Sequence, residues 1–211
     1  MTIKPWSYSK LSDYEKCAHA HMYRRIVKLE EPPSYHMNIG NAVHSMAEKF
    51  LLDEIKVLPP VLNKFAKEFK SLKAAKAIAE EPMSLDRNWL IIPNGWNDKN
   101  TWLRLKIDAR VDNYIIDFKT GKIYDSHVEQ ARLYANVYMM NSKDCDCVEV
   151  EFWYLNLGEV VSFMFYRENL EEHIADWERR VAIMDNDTTF APTPHEYCRN
   201  CYVNKYCQSY S

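Results

Sequence analysis

Apolar positions change their period along this chain, and each change marks an element. From 10 to 25, Leu11, Tyr14, Cys17 and Met22 recur at helical spacing among basic residues, until Pro32 and Pro33 interrupt. A second helix is predicted over 38–52, with Ile39, Val43, Met46, Ala47 and Phe50 as its apolar face. Pro59 and Pro60 open a third, predicted to run to about Glu80. Its lysines (Lys64, Lys67, Lys70, Lys73, Lys76) step by three. At about 100° per residue that row drifts round the helix. It reads as a solvated surface, with contact to a DNA backbone as the alternative.

The period then falls to two. A short strand is predicted over 89–93. Over 102–111, Leu103, Leu105, Ile107, Ala109 and Val111 alternate with Arg104, Lys106, Asp108 and Arg110. Asp112-Asn113 is a turn signal, Tyr114–Lys119 continues as a second strand, and Thr120-Gly121 ends it. A helix over 126–140 follows, then a hairpin of 148–155 and 160–166 around Gly158, then a helix over 168–184. This order predicts a mixed α/β (α+β) domain with a central sheet, one domain over 1–211.

Composition narrows the function. Net charge is −3 and pI about 6.2, so this is no broadly basic nucleic-acid coat; any DNA contact needs positive charge concentrated locally. No apolar run approaches the roughly 20 residues that span a bilayer, so no membrane is expected. The four glycines, at 40, 95, 121 and 158, form no phosphate-binding loop. The opening MTIKPWSYSK has no apolar signal region. The expected compartment is therefore cytoplasmic, with thiols reduced.

The cysteines stand out. Cys198, Cys201 and Cys207 read C-x2-C-x5-C, and Cys17 lies about 180 residues upstream. Packing does not ask for three thiols so close together, whereas a closed metal centre asks for four ligands. Zinc and an iron–sulfur cluster both satisfy the spacing, and either would clip segments about 7–30 and 190–211 together. Cys145 and Cys147 read as loop or buried residues.

The hairpin is acidic. With its turn on Asp112-Asn113, partner positions sum to 225, which sets Asp108 opposite Asp117 and Lys106 opposite Lys119. Facing carboxylates repel unless something sits between them. A divalent cation with oxygen ligands is one compensation, and Lys119 beside it could hold an attacking water. A solvated strand face with ordinary charge pairing is the other reading. His44 shares a helix face with Asn41 and Glu48, and Gln130 and Tyr134 are neighbours one turn apart on the next helix.

Taken in order, His44 in GNAVH, Asp108 in KIDARVD, Asp117 and Lys119 in IIDFKTGK, and Gln130 and Tyr134 in QARLY resemble the RecB-type nucleases of the PD-(D/E)xK superfamily. The cysteine layout and the opening SYSKLSDYEKCAHAHMYRR resemble its iron–sulfur subset, which includes the CRISPR-associated RecB-like exonucleases and the AddB nuclease domain. Leu105 and Ala18 stand where the family often has glycine and proline.

The resemblance implies a restriction-endonuclease-like mixed sheet flanked by helices. It implies Mn²⁺ or Mg²⁺ on His44, Asp108, Asp117 and the Phe118 carbonyl, with Lys119 acting on water and Gln130 and Tyr134 supporting the site and the DNA. Cys17, Cys198, Cys201 and Cys207 would hold a structural [4Fe-4S] cluster. The expected activity is a metal-dependent deoxyribonuclease, an exonuclease on single-stranded DNA ends, with a helicase or DNA-integration partner. The rivals are a catalytically quiet DNA-end binding module and a zinc-stapled binding domain.

Overall fold

A computed structural model describes residues 5–31, 35–207 and 209. The chain divides into two compact units: one holds the described residues before 33 together with those after 173, and the other runs from there to His173.

The second unit is built on a five-stranded sheet: β1 (Ile78–Leu85), β2 (Leu103–Val111), β3 (Tyr114–Lys119), β4 (Cys147–Tyr154) and β5 (Glu159–Tyr166), adjacent in chain order. Every pairing is antiparallel except β3 with β4. A parallel neighbour cannot be reached by a tight turn; here helix α5 (His127–Asn141) makes the crossover. The turn before β5 depends on Gly158, whose φ is +79°, a conformation that costs glycine nothing.

Helix α3 (Tyr35–Leu51) buries Val43, Ala47, Phe50 and Leu51. Ile39 and Met46, expected on that face, flank the stripe and stay about 40% exposed. The core they cover contains Phe65, Phe69, Phe118 and Trp153. Phe65 stacks on Trp153 at 5.2 Å between centroids, and Phe69 meets Phe50, Phe118 and Trp153.

Two expected elements differ. The third helix does not reach Glu80. Pro60–Phe65 forms a 3₁₀ segment, α4 (Ala66–Ala74) follows, and Lys76 at φ +54° turns the chain into β1. The glutamates of β1 disguised a strand as a helix tail. Pro82 is tolerated inside it because β1 is an edge strand, with one side of its backbone unpaired. The 89–93 segment forms only an isolated bridge between Ile91 and Leu85. Trp89 there takes φ +62° and buries its ring edge-on against Trp102.

The first unit gathers both ends of the described chain. Helix α1 (Tyr8–Lys16) is capped by the Ser7 side chain, which accepts from the Lys10 N–H; α2 (Ala18–Met22) ends in a π turn over Tyr23–Val27. Much of α6 (Leu170–Asn186) belongs here. Trp6, Leu11, Trp177, Val181, Met184 and Val203 are its buried apolar residues, and His21 is buried with them. Arg180 grips Glu15 through two 2.7 Å bonds, and Tyr14 Oη donates to Asp187 at 2.9 Å. Among the described residues, no helix is long and apolar enough to cross a membrane.

Phe69 is fully buried among three aromatic rings. Phe69→Ala should cost about 3–5 kcal/mol. A urea titration would show a lower midpoint at unchanged slope; a midpoint within error of the parent would contradict this packing.

Candidate active site

The site is assembled where β2 and β3 stop pairing. Their ladder runs from Val111–Tyr114 to Ala109–Ile116, in the register summing to 225. One step further on, Asp108 and Asp117 are no longer a laddered pair. The Asp108 carboxylate instead accepts the Phe118 N–H at 2.6 Å through Oδ2. Lys106 does not face Lys119: it pairs with Pro82 of β1, and its ammonium bridges to Glu80. The competing strand, β1, was the element that the sequence pattern hid.

Helix α3 brings the histidine. Met37, Asn41, His44 and Glu48 recur every three or four residues and line one side of an open groove. Gly40 permits the close approach, since a Cβ there would lie 3.2 Å from Thr120 Oγ1, just beyond β3. His44 Nδ1 then sits 3.2 Å from Asp108 Oδ1.

The second carboxylate has its own partners. Asp117 Oδ1 accepts from Gln130 Nε2 at 3.1 Å and from Tyr134 Oη at 3.0 Å, while Lys119 Nζ lies 2.6 Å from Oδ2. Lys119 Nζ also donates to Gln130 Oε1 at 2.9 Å, and Gln130 Nε2 contacts Tyr134 Oη at 2.7 Å. Gln130 and Tyr134 can do this because α5 presents both, one turn apart, to the end of β3.

Burial drives the electrostatics. Asp108 is 8% exposed and Asp117 3% exposed. Desolvation first, and the Asp117 charge second, push the Asp108 pKa up to about 6, against the opposing pull of His44 and the Phe118 N–H. Burial disfavours a charged His44, but its bond to Asp108 and the charges of Asp108, Asp117 and Glu80 outweigh that and raise its pKa. Burial and then the Asp117 charge hold the Tyr134 hydroxyl protonated far above its ordinary range.

Glu80 is the residue that sequence reasoning missed. Its carboxylate oxygen, an Asp108 oxygen and a His44 nitrogen all lie within 4.8 Å of one another, the one such group of three metal donors among the described residues. The β1–β2 register sums to 188 and would set Glu80 opposite Asp108, but the ladder skips that pair and Glu80 sits at φ +52°. Reading residues 78–85 as a strand, with Pro82 marking its edge, would have exposed the pairing. Two carboxylates suit Mg²⁺ or Mn²⁺, and the imidazole favours the softer Mn²⁺ of the two. Asp117 stands outside the triple, held by Lys119.

In the first unit, Cys17, Cys198, Cys201 and Cys207 line one pocket with His19, Pro192, Pro194 and His195. All six cysteines are free thiols. Cys145 donates to the Cys147 carbonyl, apart from this group.

The PD-(D/E)XK nuclease superfamily pattern matches residues 5–208, and the chain belongs to that superfamily, whose members are metal-dependent nucleases acting on DNA. The mixed sheet flanked by helices is consistent with its restriction-endonuclease-like fold. No curated protein matches the chain.

The raised pKa of Asp108 fixes a sign. Between about pH 4 and 6 the folded state holds a proton that the unfolded state has lost, so stability falls as pH rises through that window. At neutral pH the ionised Asp108 costs the metal-free fold on the order of 3 kcal/mol. In EDTA, Asp108→Asn should therefore be at least as stable as the parent at pH 7.5, with the advantage vanishing near pH 4. Parallel melting-temperature profiles against pH would show that Asp108 carries no such penalty.

Proposed function

We propose that this member of the superfamily is a deoxyribonuclease, an exonuclease that hydrolyses phosphodiester bonds at single-stranded DNA ends. The observation that carries the reading is the network joining the buried Asp117 to Lys119, Gln130 and Tyr134, next to a second buried carboxylate, Asp108, that meets His44 on an open groove. A structural arrangement would neutralise the two aspartates internally. This one leaves donor atoms facing solvent on the His44 side.

His44, Asp108, Asp117 and the Phe118 carbonyl would hold Mn²⁺ or Mg²⁺, which supplies Lewis acidity and lowers the pKa of bound water. Lys119 holds the attacking water and places positive charge where the phosphorane-like transition state gathers negative charge. Gln130 fixes the Lys119 ammonium through Oε1 and Asp117 through Nε2, so the two keep one geometry. Tyr134, kept protonated, donates to Asp117 rather than taking a proton from it. Water oxygen bonds to phosphorus and gives up a proton to solvent, the bond from phosphorus to the ester oxygen breaks, and that oxygen takes a proton from solvent, leaving a phosphate and a free hydroxyl.

Single-stranded ends are favoured by the exposed Tyr35 ring at the start of α3, two residues before Met37 on the groove. Unpaired bases stack on aromatic rings. A helicase or DNA-integration partner would supply the ends, in a cytoplasmic setting.

Cys17, Cys198, Cys201 and Cys207 would hold a [4Fe-4S] cluster. The four thiols line one pocket, and the family likeness favours an iron–sulfur core there, with zinc as the alternative that the same ligands accept.

End-labelled single- and double-stranded DNA, digested with Mg²⁺ or Mn²⁺ and resolved over time, tests the activity. Shortening ladders from single-stranded ends are expected, and intact substrate under both metals would favour a catalytically quiet binding module. Lys119→Ala should lower cleavage at least 100-fold while DNA binding survives; near-parental cleavage would move the active site elsewhere. Anaerobically purified Cys201→Ala should lose brown colour, iron and much of its thermal stability, with Cys145→Ala unaffected. A colourless parent protein containing zinc would replace the cluster by a zinc staple.

A further inference from the structure

We propose that Glu80 is a further protein ligand to the catalytic cation, and that the Lys106 ammonium holds the cation's place until it binds. The proposal rests on the reading of His44 and Asp108 as ligands and deepens it.

Three observations carry it. First, Glu80, His44 and Asp108 present donor atoms within 4.8 Å of one another, although they come from a strand, a helix and a second strand. Second, the fold bends β1 to achieve this. The ladder pairs Ala79 with Ala109 and Glu81 with Ile107, yet skips Glu80 and Asp108, and Glu80 takes φ +52°. A glutamate gains nothing from that conformation, which is uncommon outside glycine, asparagine and aspartate. Third, the Glu80 side chain is only 10% exposed, so its charge needs a companion in the metal-free state, and Lys106 supplies one.

Lys106 is suited to leaving. Its own side chain is 49% exposed and lines the mouth of the groove with Glu48. A long flexible stem can swing a primary ammonium into water or onto a backbone phosphate, whereas a guanidinium fork would hold its carboxylate more rigidly. A divalent cation brings two charges to the place where Lys106 offers one. Exchange therefore restores charge balance at Asp108 and Glu80 together and frees the ammonium on the side of the groove where a phosphate would lie.

The two residues should then act on metal affinity with opposite signs. Mn²⁺ binding to the full-length protein would be measured by electron paramagnetic resonance of free Mn²⁺, with circular dichroism confirming the fold of each variant. Glu80→Gln, which keeps shape and removes charge, should weaken Mn²⁺ at least 10-fold. Glu80→Asp should lie between it and the parent. Lys106→Met should tighten Mn²⁺ several-fold, because a competitor has gone. Unchanged affinity in Glu80→Gln, with a parent that binds Mn²⁺ and loses it in Asp108→Asn, would overturn the Glu80 assignment and leave the nuclease reading standing. Weaker binding in Lys106→Met would overturn the placeholder role. A parent that binds no Mn²⁺ would overturn the underlying reading itself.

Discussion

Two carboxylates, 8% and 3% exposed on adjoining strands, cannot both ionise without compensating positive charge nearby. Around Asp108 and Asp117 the protein distributes that compensation rather than neutralising it at one point. Asp117 receives Lys119 and two neutral donors. Asp108 receives His44 and one backbone N–H, and its pKa remains raised. The asymmetry matters chemically. Asp117 has a full ion pair with Lys119, whereas Asp108 has only His44 and a backbone N–H and borders an open groove. A divalent cation from solvent would supply Asp108 with larger charge than a histidine bond can offer.

Local structure follows from this requirement. The β2–β3 ladder must end before Asp108 so that the Phe118 N–H turns to a carboxylate instead of a carbonyl. Gly40 eases the approach of α3 to the end of β3, since a Cβ there would crowd Thr120 Oγ1 at 3.2 Å, and that approach delivers His44. Helix α5 crosses to place β4 parallel to β3, and the same crossover carries Gln130 and Tyr134 over Asp117. The aromatic core beneath, with Phe118 packed against Phe69 and Trp153, fixes the strand that bears all three of Asp117, Phe118 and Lys119. Site and core therefore share a residue, alternate side chains of one strand serving each.

Much of this was legible without coordinates, and the limits are physical. The turn at Asp112-Asn113 set the β2–β3 register because a hairpin's turn and alternation leave little freedom. Helix α5 and the β4–β5 hairpin follow their periodicity to within a residue or two. Residues 78–85 did not, since glutamates and a proline on an edge strand obey neither period, and the strand is decided by pairing with β2. That one loss removed Glu80 from the candidate site and set Lys106 against the wrong neighbour. Helix spacing joined His44 to Asn41 and Glu48, and only family likeness joined it to Asp108. Its distance from Asp108 comes from the packing of α3 against the end of β3, where Gly40 comes close to Thr120.

The unit that gathers the chain ends has a different problem. It buries few large side chains, chiefly Trp6, Leu11, Trp177, Val181, Met184 and Val203, and its two segments are separated by the whole of the other unit. Small cores of this kind need a staple. Linking Cys17 to Cys198 closes a loop of about 180 residues, which in chain-entropy terms is worth about 5 kcal/mol against the unfolded state. Ion pairs such as Arg180 with Glu15 hold the same segments together, but partly exposed pairs contribute about 1 kcal/mol or less each. A group held in common by the four thiols of that pocket would be a stronger tie between the ends than these ion pairs, and it would stabilise the fold without any part in the chemistry at Asp108.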